Sequence, residues 1–347
     1  MVNKHVGIRD VAQAAGVSVT TVSHVLNETP HTRVNPATRD RVQEVAERLN
    51  YRPNRLARGL RTRTSGMIGL LTEEIAATPH AGRIILGAQE AASRHNLTLV
   101  IINSPLLADA DARRGDVRAL LDRHVDGILY ATVFHDVVHP PRELATVPSV
   151  LIGATDHSHE LPSVVPDEEG GAHKAVNTLL AAGHRRIGFT SGVEDVPATR
   201  GRRLGYGRAL RDAGLPVEEG LIVEGASEAW GGYEAGHELL ARPDRPTAVF
   251  CYNDRMAMGV YRAAAELGLR IPEDVSVVGF DDQDPIAASL YPGLTTIGLP
   301  HYEMGAWAVD TLADRLTGTE PTQSEEIKLD CPVVTRASVA PPAQPGH

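Results

Sequence analysis

Residues 8–27, IRDVAQAAGVSVTTVSHVLN, place Thr20, Thr21, Ser23 and His24 on one face of a short segment. Hydroxyls and an imidazole of that kind can donate to and accept from base edges in a DNA groove. Two later clusters look at first like metal chemistry. Asp281-Asp282-Gln283-Asp284 is a short acidic run, and Asp156, His157 and His159 form a mixed one. Neither supplies ligands at a diagnostic calcium or zinc spacing. The chain has no GxxxxGK[ST] loop, no GxGxxG opening a helix, no GxSxG elbow and no HExxH. No cofactor, metal or catalytic centre is therefore expected, and the chain does not read as an enzyme. Cys251 and Cys331 stand far apart without CxxC or Cys/His spacing, which fits a reduced compartment.

The elements that must hold the polar face are two short helices. Ile8, Val11, Ala12 and Ala15 recur at i, i+3, i+4 and i+7, one apolar stripe with Arg9, Asp10 and Gln13 turned to water. Gly16 ends that helix as a C-cap glycine. Ser18 is placed as the N-cap of the next helix, and Val22, Val25 and Leu26 give that helix its inward stripe. A third helix starts at Asn35 and Pro36 and carries Val42, Val45, Ala46 and Leu49 at the same spacing. Two short amphipathic helices alone would also describe an ordinary helical hairpin; the rest of the chain decides for a helix-turn-helix.

Charge is the first part of that context. The net charge is -10, yet residues 1–63 hold 11 Lys+Arg against 5 Asp+Glu, a net of +6, which leaves -16 for residues 64–347. A small basic head on a large acidic body points to a polyanionic partner for the head alone. Residues 51–63, YRPNRLARGLRTR, bring five arginines together with Leu56 and Leu60 on one face. Gly59 and the short length argue that this linker becomes helical only in company. The N-terminus lacks the apolar run of a signal peptide and no 18-residue apolar stretch occurs, so a cytoplasmic protein without membrane contact is expected.

The body alternates short β-branched runs with helical stretches. Strands are expected at 66–71, 97–103, 127–131, 149–152, 187–190, 221–223, 248–252 and 276–280. Helices are expected near 81–94, 112–123, 170–181, 202–213, 233–241, 255–267 and 301–316. This is an α/β pattern of parallel sheets covered by helices, most simply two subdomains.

DVAQAAGVSVTTVSHVLN, VNPATRDRV and YRPNRLARGLR resemble the head and hinge of the LacI/GalR family of bacterial transcription regulators. The similarity continues through TSGMIGLL, HVDGILY, AAGHRRIGF, RRLGYGRAL, YNDRMAMG, DVSVVGFDD and LTTI, nearly the whole chain. It implies a helix-turn-helix head (1–51), a hinge helix (52–63) and a two-lobed, periplasmic-binding-protein-like body. The body's first lobe would be 64–163 with 296–330 returning, and its second 164–295. The proline-rich 337–347 reads as a flexible tail without heptads, against a coiled-coil tetramer. A periplasmic solute-binding protein would share the body, but the basic head and the absent export signal argue against it.

The resemblance also assigns roles. Val19, Thr20 and His24 match positions that face bases, where histidine stands in place of the usual arginine and loses its bidentate fork. Ser18, Thr21 and Asn27 would touch phosphate, with His31 and Arg33 adding contacts from a longer loop. Leu60, supported by Leu56 and flanked by Ala57, matches a minor-groove wedge. In the body, Arg202, Asn253 and Asp281 match effector-binding positions beyond strand ends. The facing loop carries Ala77-Thr78-Pro79-His80 where family members have an aromatic, so Thr78 would meet the effector instead. Trp230 and Tyr252 could offer apolar faces to a sugar or simply belong to the core. The expectation is a homodimer on double-stranded operator DNA, controlled by a sugar or sugar derivative. A nucleobase or nucleoside corepressor is the alternative.

Overall fold

The computed structural model of the chain describes residues 6–26, 32–51, 64–73, 81–105, 109–158, 160–318 and 326–343. They form two compact units, Met1–Gly66 and Met67–His347. In the first unit, α1 (Ile8–Ala15), α2 (Val19–Leu26) and α3 (Pro36–Arg48) enclose one small core. Val11, Val22 and Val42 are fully buried at its centre, ringed by Ala12, Ala15, Val25, Val45 and Ala46. Gly16 takes the left-handed conformation, φ 65°, that turns the chain out of α1. Asn35 accepts from the Ala37 amide at 2.9 Å and so starts α3.

The second unit contains two sheets of the same design. The first is built from β1 (Met67–Glu73), β2 (Thr98–Ser104), β3 (Gly127–Val138), β4 (Ser149–Asp156), β5 (Ser163–Pro166) and β11 (Glu326–Leu329), in the order β11-β5-β4-β3-β1-β2 and parallel throughout. The second is built from β6 (Ile187–Gly192), β7 (Ile222–Gly225), β8 (Ala248–Cys251), β9 (Ser276–Asp281), β10 (Thr295–Gly298) and β12 (Val333–Val334), in the order β12-β10-β9-β8-β6-β7. Only β12 runs antiparallel to its neighbour. Strands β5, β6 and β8 are buried along their whole length, as parallel strands covered on both faces must be.

Helices α4 (Ala81–Arg94) and α5 (Ala110–Leu121) cover the first sheet together with α11 (His301–Thr317). Helices α6 (Glu168–Ala181), α7 (Pro197–Asp212), α8 (Ala229–Leu240) and α9 (Asp254–Glu266) cover the second, with the short α10 (Ile286–Ser289) near β10. Helices α4 and α11 meet backbone to backbone: a Cβ on Gly305 would lie 2.2 Å from the Ile84 carbonyl oxygen, and one on Gly87 2.0 Å from that of Tyr302. Gly305→Val should therefore force these helices apart and cost about 3 kcal/mol, the upper range for overpacking, read as a lower midpoint in thermal unfolding.

Several expected boundaries differ from what is observed. Strand β5, Ser163–Pro166, still belongs to the first sheet, so the chain leaves that lobe only at α6. Residues 296–298 lie in β10 of the second sheet, and the return to the first lobe begins at α11. After β11 the chain crosses once more, and Cys331 is buried in the second lobe's core. The tail is not flexible as far as it is described. Ser338 is fully buried; its hydroxyl donates to the Val277 carbonyl at 2.6 Å and accepts from the Thr295 amide at 2.8 Å. Ala340 exchanges hydrogen bonds with the Ser276 hydroxyl. The reason is backbone satisfaction: groups at the start of β9 and β10 need partners, and an extended proline-rich segment supplies them.

Candidate functional site

In the head, the Ser18 hydroxyl accepts from the Thr21 amide at 3.1 Å and lies 2.9 Å from the Thr21 hydroxyl, which fixes the first turn of α2. Val22 and Val25 turn inward. What the helix offers outward is therefore its other face: Val19 is 41% exposed, Thr20 is exposed, and Thr21, Ser23 and His24 are half-buried. Methyl groups and hydroxyls on the first turn of a short helix, with an imidazole on its last, are the chemistry of groove reading. Asn27, His31, Leu56, Ala57 and Leu60 lie outside the described residues, as does Thr78 in the body.

In the body, Asp281 ends β9 and Asn253 follows β8, both at the C-terminal edge of the second sheet. Arg202, in the second turn of α7, reaches the same place and is only 4% exposed. Its Nε donates to Glu168 Oε2 at 2.7 Å, its Nη1 to the Tyr252 carbonyl, and its Nη2 lies 3.5 Å from Asp281 Oδ1. The guanidinium also sits over two rings, 3.8 Å from the Phe280 centroid and 4.5 Å from that of Tyr252. Burial works against its charge, but Glu168 and Asp281 more than offset this and hold it above the ordinary arginine value.

The carboxylates respond the opposite way. Burial pushes Asp281 above the usual carboxylate range, with Arg202 opposing and Glu168 adding to the rise. Asp254, fully buried at the start of α9, is raised by burial and by Asp281, against hydrogen bonds from Thr296 and Gln283. Those bonds are 2.6 Å from the Thr296 hydroxyl and 2.7 Å from the Gln283 amide. Arg336 holds Asp282 at 2.7 Å. This clamping matters because Asp281 and Asp282 both have positive φ, 112° and 51°, a conformation unfavourable for a side chain and costing on the order of 1–3 kcal/mol for the pair's more strained member. The turn thus presents a carboxylate held rigidly at the cleft edge.

The other expected cleft residues stand in different surroundings. Asn253 is 2% exposed and its amide is engaged: Oδ1 accepts from the Met256 amide at 2.8 Å and Nδ2 donates to the Ser227 carbonyl at 3.0 Å. It caps α9 and fixes the neighbouring loop. Tyr252 lends its ring to Arg202 and is 7% exposed. Trp230, at the start of α8, is 61% exposed, close in sequence to Ser227 and Glu228, which bond Asn253 and Arg255. Glu168 was missed, since an acid at a helix N-terminus reads as a partner of the helix dipole; its one sequence signal is the run Asp167-Glu168-Glu169. Phe280 carried no signal beyond its strand. Among the described residues no group of three His, Cys, Asp or Glu side chains is arranged to hold a metal ion, and no helix is long and apolar enough to cross a membrane.

A groove-reading head joined to a two-lobed body with a polar cleft defines a ligand-responsive DNA-binding regulator. Comparison with known proteins gives the family. Residues 7–54 match the bacterial regulatory proteins of the lacI family, and residues 176–339 match a periplasmic binding protein-like domain. The chain is 36% identical to the HTH-type transcriptional repressor PurR of Pectobacterium carotovorum subsp. carotovorum (strain PC1), over 96% of this chain and 96% of that protein. It is 33% identical to the ribose operon repressor of Escherichia coli (strain K12), over 95% and 99%. Among solved structures, the lac repressor dimer bound to operator and the anti-inducer ONPF matches with a TM-score of 0.79 and 29% identity, over 97% of this chain and 100% of that one. The chain belongs to the LacI family. It is a DNA-binding transcription regulator whose operator binding is controlled by a small-molecule effector.

Proposed function

We propose that the protein is a cytoplasmic, homodimeric repressor, without enzymatic activity, whose effector is a sugar or sugar derivative bound beyond the strand ends of the second lobe. The observation that carries the ligand class is the rigid Asp281 carboxylate beside the Arg202 guanidinium, both at the C-terminal edge of the second sheet. An acceptor and a donor fork side by side suit neighbouring hydroxyls, which both donate and accept. The likeness to a ribose operon repressor supports the same class. Leu56 and Leu60 complete the reading as minor-groove wedges that bend the operator.

A thermal-shift screen of sugars, nucleobases and nucleosides, followed by gel shift with each hit, tests this. A sugar should raise the melting temperature and change operator affinity, and operator should change sugar affinity by the same factor. A nucleobase or nucleoside hit with no sugar hit would replace the sugar by the nucleobase or nucleoside corepressor. Turnover of any hit would revive an enzyme.

A further inference from the structure

Strands β6 and β7 end side by side, Gly192 paired with Gly225, and each passes into a loop at the C-terminal edge of the second sheet. Two residues past those glycines stand Glu194 and Ser227. The Ser227 hydroxyl donates to Glu194 Oε2 at 2.8 Å. The loop that carries Ser227 is itself fixed: the Ser227 carbonyl accepts from Asn253 Nδ2 at 3.0 Å, and Glu228 beside it holds Arg255 at 2.8 Å. Gly192 leaves room for the pair. A Cβ there would fall 3.0 Å from Glu194 Oε2, 3.1 Å from the Ser227 hydroxyl oxygen and 3.3 Å from Tyr252 Cε1, and would press on all three.

Through Tyr252 the pair adjoins the cluster around Arg202. The Tyr252 ring has the Arg202 guanidinium 4.5 Å from its centroid, and Arg202 Nη2 lies 3.5 Å from Asp281 Oδ1. Contacts therefore run from Glu194 to Asp281 across the C-terminal ends of β6, β8 and β9, which are neighbours in the sheet. That edge is where open α/β sheets bind ligands. Two strand spacings separate β6 from β9, so the strands that bear the two carboxylates lie about 10 Å apart. Glu194 is exposed, and Ser227 is its side chain's one polar partner among the described residues. Oε1 is left to accept from a ligand, and the Ser227 hydroxyl, its proton committed to Glu194, can likewise accept.

We propose that Glu194 is a specificity-determining residue of the effector cleft, accepting with Ser227 from hydroxyls of a second sugar ring when a first meets Asp281 and Arg202, so that the effector is a disaccharide. The inference rests on the cleft reading above and adds the length of the ligand. Hydroxyls on one pyranose ring lie too close together to reach both carboxylates, whereas those on two linked rings span them. A carboxylate acceptor makes the second contact strong enough to select for length, since charge-assisted hydrogen bonds are about twice as strong as neutral ones.

The test is isothermal titration of the full-length protein with D-glucose, D-galactose, cellobiose, maltose and lactose. Wild type is compared with Glu194→Ala, Glu194→Gln and Asp281→Asn. Wild type should bind one of the disaccharides at least about tenfold more tightly than either monosaccharide. Glu194→Ala should weaken that disaccharide by about tenfold to a hundredfold, the loss of a hydrogen bond to a charged group, and leave the monosaccharides within about twofold. Glu194→Gln keeps an acceptor without the charge and should fall between the two. A merely structural part for Glu194 would move both sugar lengths together and lower the melting temperature of the unliganded protein. Unchanged disaccharide affinity in Glu194→Ala, an equal loss for both lengths, or a wild type that binds monosaccharides as tightly as disaccharides overturns this inference; with Asp281→Asn impaired, the cleft reading stands. Unchanged affinity in Asp281→Asn, or no binding of any sugar in the panel, overturns both.

Discussion

Arg202→Ala should destabilise the body by about 3–5 kcal/mol at neutral pH, the cost of leaving one side of a buried ion pair uncompensated. The guanidinium gives three directions of donor to Glu168, Tyr252 and Asp281 and fills the slot between the Phe280 and Tyr252 rings. Truncation empties that slot and leaves two carboxylates, with side chains 5% and 9% exposed, without their cation. The pH dependence identifies the cause. In the wild type Asp281 already sits above the ordinary carboxylate range because burial outweighs Arg202. Removing Arg202 deletes the influence that lowers it, so the folded value rises further while the unfolded value does not. A group whose folded pKa is raised binds its proton more tightly when folded, so stability is lost as pH climbs from about 4 toward that raised value and regained on acidification. The defect in urea midpoint should therefore be smaller at pH 5.5 than at pH 7.5. Arg202→Met combined with Glu168→Gln should recover part of the loss, since only one buried carboxylate, Asp281, is then left without a cation instead of two. A defect that does not shrink on acidification would show that cavity formation rather than unpaired charge dominates, and one below about 1 kcal/mol would show that neither does.

What could be read from the sequence follows from how local each signal is. The head was legible because its core depends on spacing within single helices: Val11, Ala12 and Ala15, or Val42, Val45 and Ala46, declare the buried face without reference to anything distant. Strands β4 and β6 were legible in part, from the short runs 149–152 and 187–190 at their starts. Strands β5, β10, β11 and β12 went unread, and length alone is not the reason, since β7 and β8 also hold four residues and were expected. Glu326–Leu329 alternates exposed and half-buried positions at a sheet edge, and only pairing with β5, far earlier in the chain, makes it a strand. The cleft was half legible. Arg202 and Asp281 came from resemblance and strand position, whereas the partner Glu168 lies 34 residues before Arg202, and the strain at Asp281 depends on Asp254 and Arg336 holding the turn. No periodicity encodes such pairings. The buried tail escaped for the same reason: its prolines forbid a helix but say nothing of a docked extended segment.

His24→Arg should redirect operator choice. His24 lies in the last turn of α2, half-buried beside the core residue Val25, while Val19 and Thr20 occupy the exposed first turn. On the proposed reading Val19 would pack on a thymine methyl and Thr20 would bond a base edge, contacts that tolerate several bases, and His24 would add one hydrogen bond at the other end of the helix. Arginine there would present two parallel donors to guanine O6 and N7, a discrimination of about 1–3 kcal/mol against other bases, or roughly ten- to hundredfold. Binding-site selection from a randomised half-site should accordingly yield a new, guanine-dominated position in both arms of the palindrome, with the bases read by Val19 and Thr20 unchanged. His24→Lys separates the fork from its charge. It should tighten binding to all sequences and steepen the salt dependence without concentrating preference at one base. Identical selected sequences for wild type and His24→Arg would mean that residue 24 contributes to affinity or packing alone, and that specificity in this protein is set by the first turn of α2 and by DNA deformation.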